Sequence, residues 1–184
     1  DEQAHTGKPV AGTFHSFEKT LFGKPLFIGA GGLFGQSDLS STNSKDTDVW
    51  AATLAVKYKI TQNIALQAEG YSGANIAAFR GGSPTGVDHN KSVRARGGYV
   101  QLTLDPTAKL QFNAGAGIDD VYTDSVSTGT SAVWDYNYAY FVNAKYQIAK
   151  NLTWGLEYQQ FETEYANQNS GDVQRIQSSL LYNF

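Results

Sequence analysis

The chain has 184 residues, enough for one domain, and only 17% of them are charged, against the roughly 25% usual for soluble domains. A net charge of −3 gives no electrostatic basis for nucleic-acid binding, and the absence of cysteine excludes disulfides and thiolate metal sites. The mean hydropathy of −0.37 predicts no transmembrane helix. The 13% aromatic content and the 19 glycines instead favour an all-β chain.

Residues 1–23 are predicted to form an N-terminal segment or a first strand, because residues 10–21 alternate poorly between apolar and polar side chains. A turn at residues 22–25 follows. Residues 24–184 are predicted to form β-barrel strands, since apolar and polar residues alternate along them. The predicted strands cover residues 26–34, 48–60, 64–79, 93–104, 109–122, 132–149, 152–165 and 173–184.

Residues 132–149 show the clearest alternation. Every second residue from Trp134 to Ile148 is apolar or aromatic, while Asp135, Asn143 and Lys145 lie between them. Because successive side chains of a strand point to opposite faces, one face is apolar with aromatic residues toward both ends and the other is polar. Tyr and Trp suit the boundary between lipid and water, so the pattern is typical of a transmembrane barrel strand.

The predicted connections alternate in length. Short turns at residues 22–25, 61–63, 105–108 and 149–151 alternate with longer polar loops at 37–47, 79–91, 123–131 and 166–171. This asymmetry is typical of outer-membrane barrels, whose turns on the periplasmic side are short. The expected fold class is therefore all-β: an antiparallel transmembrane β-barrel that is an up-and-down meander, with eight or nine strands in this chain.

The alternation also assigns strand residues to two faces, one toward lipid and one toward an enclosed aqueous interior. The candidate pore-lining residues are Lys57, Lys59, Gln67, Glu69, Gln101, Asn113, Asp119, Asn143, Lys145, Glu157 and Arg175. The candidate lipid-facing girdle is Trp50, Tyr58, Trp134, Tyr136, Tyr146, Trp154, Tyr158, Tyr182 and Phe184. Both signs of charge occur in the lining set, so no strong ion preference is expected.

Arg94 and Arg96 break this rule, because they share parity with the apolar Leu102. The glycine pair Gly97–Gly98 marks either a bulge or a close approach of two strands. If it forms a bulge, it turns the two arginines inward; otherwise they meet lipid phosphates near the outer rim.

No catalytic, cofactor-binding or metal-binding residues are predicted, and the chain is not expected to be an enzyme. The three histidines are not spaced as metal ligands, and no serine–histidine pair shares a strand face. Asp119, Asp120 and Asp124 are expected to be solvated carboxylates at the barrel rim, with a calcium site in the loop as the alternative.

The C-terminal strand ends on Phe184, with Tyr182 two residues earlier, and this resembles the terminal strand of bacterial outer-membrane proteins. Residues 97–120 and 151–184 look like the late strands of large porins, and the likeness extends over most of residues 48–184. It implies the C-terminal half of a general diffusion porin of about sixteen strands. Such porins lie in the bacterial outer membrane, are commonly homotrimers, and pass small hydrophilic solutes or ions.

Two architectures remain open from the strand count. Counting residues 10–21 as a strand gives nine strands, whereas complete bacterial barrels have an even number. The chain is therefore either part of a larger porin that conducts solutes by passive diffusion, or an eight-stranded non-conducting barrel with an N-terminal extension and a structural or surface-interaction role. A soluble lipocalin-like barrel is a third possibility and requires the apolar face inside.

Overall fold

The computed structural model describes residues 10–37, 47–76, 92–122, 134–166 and 168–184. These residues form one antiparallel sheet of nine strands, in which each strand pairs with its neighbours along the chain. The meander confirms the fold class predicted from the alternation. The strands are β1 (Val10–Leu21), β2 (Lys24–Ser37), β3 (Thr47–Lys59), β4 (Ile64–Ala74), β5 (Arg94–Thr107), β6 (Leu110–Val121), β7 (Trp134–Ala149), β8 (Leu152–Tyr165) and β9 (Gln168–Tyr182).

Tight turns join the strands at one end of the sheet. Phe22 and Gly23 connect β1 to β2 with φ angles of 49° and 73°, as a two-residue hairpin turn requires. The hydroxyl of Thr61 accepts hydrogen bonds from the backbone N–H groups of Asn63 and Ile64 at 3.2 and 3.0 Å. The hydroxyl of Thr107 closes the β5–β6 turn in the same way. Short polar side chains thus accept hydrogen bonds from backbone N–H groups of the turns that have no partner in the strand pairing.

Some strand boundaries differ from those predicted. The loop prediction for residues 166–171 is wrong, because β9 begins at Gln168 and Thr163 pairs with Gly171. The polar composition of this segment indicated a loop, but the extended β8 beside it provides hydrogen-bond partners for the backbone groups that face it. β4 ends at Ala74, earlier than the predicted 79. The loops predicted at 37–47, 79–91 and 123–131 lie almost wholly outside the described residues.

Gly97 and Gly98 mark a close approach of strands rather than a bulge. Both pair with β6 in continuous register, and the register shift of this strand pair lies between Leu104 and Thr107 instead. A Cβ atom on Gly98 would lie 3.0 Å from the Cα of Gly70, and one on Gly97 would lie 2.7 Å from the ring of Tyr71. The bulge alternative is therefore wrong, and glycine is required here because neighbouring strands leave no room for a side chain.

The difference in burial between its two faces indicates that the sheet curves toward the face that carries the odd-numbered residues of β2–β9. Along β5 the odd positions from 97 to 105 are half-buried, while the even positions 100, 102 and 104 are exposed. Side chains on the concave side of a curved sheet crowd and shield one another, which explains the difference. In β1 the even residues share this concave face, because Phe14 pairs with Gly31. No pairing joins β1 to β9 within the described residues, so the sheet is open there.

A small buried cluster lies on the concave side at the end away from the short turns. Val93, Ala95 and Val121 are at most 6% exposed, and Tyr71 packs against them. Beside this cluster, Asn75 adopts a φ of 57°, a conformation that Asn tolerates better than most residues. Its side chain donates to the carbonyl of Asp48 at 2.7 Å and accepts from the backbone N–H of Val93 at 2.9 Å. Asn75 thereby fastens the end of β4 to β3 and to the chain entering β5.

None of the described segments is a helix long and apolar enough to cross a membrane.

Candidate functional site

A chain of hydrogen-bonded side chains crosses the concave face from β5 to β8. Its members are Thr103, Asn113, Asn143 and Glu157, which are direct register partners on successive strands and are here called the polar ladder. Thr103 donates its hydroxyl to Asn113 Oδ1 at 2.7 Å, Asn113 Nδ2 donates to Asn143 Oδ1 at 2.7 Å, and Asn143 Nδ2 donates to Glu157 Oε2 at 3.0 Å. All donors point toward one carboxylate, so each bond polarises the next. The ladder makes this wall polar and rigid at the same time.

Most other predicted lining residues on β4–β6 also find partners on the concave face. Gln67 donates to the hydroxyl of Tyr99 at 2.6 Å, and Gln101 donates to Asn113 Oδ1 at 3.2 Å. Glu69 accepts a hydrogen bond from the hydroxyl of Thr53 at 3.3 Å, and Asp119 accepts one from Tyr71 at 2.6 Å. The first three of these bonds join neighbouring strands, and the Tyr71–Asp119 bond reaches from β4 across β5 to β6, so the side chains add a second set of cross-strand links above the backbone ladder.

The basic members of the predicted set lie on the same face with their charged ends exposed. Lys57 and Lys59 are on β3 and Lys145 is on β7, and all three are exposed. Arg175 on β9 contacts the amide oxygen of Gln159 and lies 5.5 Å from the ring centroid of Phe161. Together with the carboxylates of the same face, these residues give the concave face charges of both signs.

The concave face also carries aromatic residues that the sequence interpretation missed. They include Tyr71, Tyr99, Phe141 and Phe161, all at odd-numbered positions. The ring of Phe141 lies directly above Gly115, where a Cβ atom would collide with it. Their positions in the alternation already indicated the polar face, but aromatic side chains were expected to face lipid.

The opposite, convex face is apolar and exposed across most of the sheet. Phe112, Leu156 and Val142 expose 42%, 41% and 53% of their surface. Among the girdle candidates on this face, Trp154 Nε1 donates to the hydroxyl of Ser178 at 2.9 Å, and the rings of Tyr136 and Tyr138 stack with centroids 6.1 Å apart. The remaining candidates placed there by register are Trp50, Tyr58, Tyr146, Tyr158 and Tyr182.

For two girdle candidates, the alternation along the strand does not determine the face on which the side chain lies. A register shift between Trp134 and Tyr136 pairs Trp134 with Tyr165, so the alternation does not assign its face. Phe184 lies two residues beyond the end of β9, and its ring makes an edge contact with the ring of Tyr182, with 5.5 Å between the centroids.

Arg96 remains on the convex face, where it pairs with Asp120. Arg96 Nε lies 2.7 Å from Asp120 Oδ2. Because Asp119 and Asp120 point to opposite faces, their carboxylates do not converge on one ion. Within the described part of the chain, no group of three or more His, Asp or Glu side chains is arranged to hold a metal ion.

A curved antiparallel meander with a polar concave face and an apolar convex face has the build of a transmembrane β-barrel wall. No family model matches the chain, and no curated protein sequence matches it. Its structure is similar to the crystal structure of the outer membrane channel DcaP of Acinetobacter baumannii, with a TM-score of 0.72 and 16% sequence identity. The match covers 100% of this chain and 56% of that channel. The chain therefore has a porin-like outer-membrane β-barrel fold and spans little more than half the length of the channel it matches.

Proposed function

We propose that the nine strands form part of the wall of a water-filled channel in the bacterial outer membrane, through which small hydrophilic solutes or ions diffuse passively. The observation that carries the proposal is the polar ladder, which places hydrogen-bonding groups on the concave face of four successive strands. A barrel interior of this kind is wetted, whereas the exposed apolar residues of the convex face suit acyl chains. The likeness to an outer membrane channel supports the same function.

In this proposal the exposed charges of the concave face set the electric field that a solute crosses. Lys57, Lys145 and Arg175 attract anions, while Glu69 and Glu157 attract cations, so the field has no single sign. The partners are outer-membrane lipid and the permeating solutes, and the porin resemblance implies a homotrimer. The channel needs no cofactor and catalyses no reaction.

The alternative of a non-conducting eight-stranded barrel has less support. Nine strands are ordered in sequence within the described residues, and an odd number does not close a bacterial barrel with both ends in the periplasm. A lipocalin-like barrel would need the apolar face inside, but Phe112 and Leu156 are exposed on the convex side. The matched structure is itself a channel of greater length.

Conductance measurements on the full-length protein in planar lipid bilayers test the proposal. Insertion of a channel gives stepwise increases in current, and the step size scales with bulk salt conductivity when the pore is filled with water. A membrane that stays sealed at all voltages after verified insertion of folded protein would contradict it. Measurement of the mass of the detergent-solubilised protein tests the trimer separately.

A further inference from the structure

The convex face is charged at the end of the sheet away from the short turns. Arg96 on β5 and Asp120 on β6 are direct register partners, and their side chains form an ion pair. The Arg96 side chain is 58% exposed and that of Asp120 is 10% exposed. Asp120 thus lies beneath Arg96 and holds it through Nε, while the terminal guanidinium nitrogens keep N–H donors for a second acceptor.

Aromatic residues surround this pair. The guanidinium carbon of Arg96 lies 5.2 Å from the ring centroid of Tyr122, and Tyr136 pairs with Asp120 across β6 and β7. Tyrosines of this kind mark the level at which headgroups replace acyl chains. A guanidinium at that level stands where lipid phosphates lie, and guanidinium binds phosphate with strong, charge-assisted hydrogen bonds.

A shallow apolar groove of about 760 Å³ begins at Arg96 and Asp120. Its floor follows β4, where the convex positions Ala68, Gly70 and Ser72 are all small. Larger side chains form its two sides, namely Leu54 and Val56 on β3 and Ile118 and Tyr136 on β6 and β7. The sides are three strand spacings apart, or about 14 Å, so acyl chains can lie in the groove side by side.

The geometry points to a binding site for a phosphorylated lipid of the outer leaflet, with its phosphate on Arg96 and its acyl chains in the groove. The order of groups along the wall, cationic at the level of the tyrosines and apolar below, repeats the order of headgroup and chains in such a lipid. A free phosphate ion would use only the guanidinium and would leave the groove unexplained. The assignment rests on the proposed placement in an outer membrane, but it does not depend on whether the channel conducts.

The test measures binding of diphosphoryl lipid A to the full-length protein in a neutral detergent, by native mass spectrometry and by titration. Arg96→Gln is expected to weaken binding about tenfold, since it removes a charge-assisted contact. Gly70→Leu is expected to weaken binding to a similar extent, because its side chain fills the groove; a Cβ atom there meets only the carbonyl oxygen of Gly97 at 3.8 Å, so the fold tolerates it. Arg175→Gln, on the concave face, is the matched control and is expected to bind as the unsubstituted protein does.

Asp120→Asn separates a lipid site from a merely structural ion pair. It keeps the guanidinium and removes the carboxylate that neutralises it, so lipid binding is expected to be equal or tighter. If Arg96 only stabilised the sheet, Asp120→Asn and Arg96→Gln would both weaken the fold and neither would change binding selectively. Heat-modifiable migration on gels verifies that each variant is folded.

Three results would overturn the assignment. The first is unchanged lipid A binding in folded Arg96→Gln. The second is displacement of bound lipid A by an equal concentration of inorganic phosphate, which would indicate a simple anion site. The third is a change in the oligomeric mass of Arg96→Gln or Gly70→Leu in lipid-free detergent, which would identify the groove as a contact between copies of the chain. Because none of these readouts uses conductance, failure here and failure of the channel proposal are distinguishable.

Discussion

Asn113 shows why a carboxamide is needed at the centre of the concave face. Its oxygen accepts hydrogen bonds from Thr103 and Gln101, and its nitrogen donates to Asn143 and, at 3.3 Å, to Gln111. The residue is only 4% exposed, so water does not replace these partners if the side chain is lost. A carboxamide has two N–H donors and an acceptor oxygen, so Asn113 joins β5 to β7 through β6. A hydroxyl has only one donor and an ionised carboxylate has none.

Replacement of Asn113 by Leu is therefore expected to destabilise the folded protein by about 1–3 kcal/mol, because it leaves buried polar partners without hydrogen bonds. Urea unfolding of the full-length protein in lipid vesicles, followed by tryptophan fluorescence, measures the change. Gln177→Leu is the control, since Gln177 lies on the same face but is exposed on β9. We expect that control to stay within about 0.5 kcal/mol. Equal effects of the two substitutions would show that the ladder adds no stability.

At the level of the strand element, two glycines face each other where Gly70 on β4 pairs with Gly98 on β5. The two glycines are neighbours, but their surroundings differ. A Cβ atom on Gly98 would collide with the carbonyl oxygen of Glu69, whereas one on Gly70 would be in ordinary van der Waals contact. The sheet thus requires glycine at one member of the pair and only tolerates it at the other.

Gly98→Ala is expected to destabilise the sheet by about 1–3 kcal/mol, since the added methyl group forces β4 and β5 apart. Gly70→Ala is the matched control and is expected to be neutral or stabilising by up to about 1 kcal/mol, because alanine restricts the unfolded chain. The midpoint of heat-modifiable migration on gels compares the two variants directly. A destabilisation of Gly70→Ala as large as that of Gly98→Ala would contradict the packing at this crossing.

Alternation between two faces was enough to predict the strands from β2 onward and which of their faces is polar, because a side-chain period of two is a property of each strand alone. Residues 10–21, which form β1, alternate too poorly for the same prediction. The hydrogen bonds of Asn113 could not be predicted, since they depend on the register between strands. Phe161 and Tyr99 were missed because residue type outweighed parity in the interpretation. The start of β9 at Gln168 was missed because pairing with β8 overrides the local preference of polar residues for loops.

The two faces of β9 offer a test of which side meets lipid. Leu180 lies on the convex face and Gln177 on the concave face of the same strand, and both are exposed. Leu180→Arg is expected to destabilise the membrane-inserted protein by about 2–4 kcal/mol, whereas Gln177→Arg places the charge toward water and has a much smaller effect. Urea unfolding in vesicles compares the two variants. If Gln177→Arg were the more destabilising, the assignment of the faces would be reversed.

At the scale of the whole molecule, the two edges of the open sheet require hydrogen-bond partners. Within the residues that the structure describes, β1 and β9 each have one edge without a strand partner, and in the hydrocarbon region every unpaired backbone group costs several kcal/mol. In a membrane the two edges therefore need partner strands, and pairing of β1 with β9 does not supply them, because an odd number of strands does not close a bacterial barrel with both ends in the periplasm. In the proposed channel, closure of the barrel leaves the concave face around the interior and the convex face toward lipid, so the electrostatic effect of the proposed lining residues follows from the two faces.

Ion selectivity is the whole-molecule property that Lys57 is expected to control. Its exposed ammonium group lies on the concave face between the register partners Phe27 and Gln67. Lys57→Glu changes the charge of the wall by two units, and the permeability of K⁺ relative to Cl⁻ is expected to rise by roughly a factor of two. Reversal potentials across planar bilayers under a KCl gradient measure this ratio. Lys19→Glu is the matched control, because Lys19 is an exposed lysine nearby on β1 that points to the convex face. The reversal potential of the control should not move, and a shift in Lys19→Glu equal to that in Lys57→Glu would mean that the concave face does not line the conducting path.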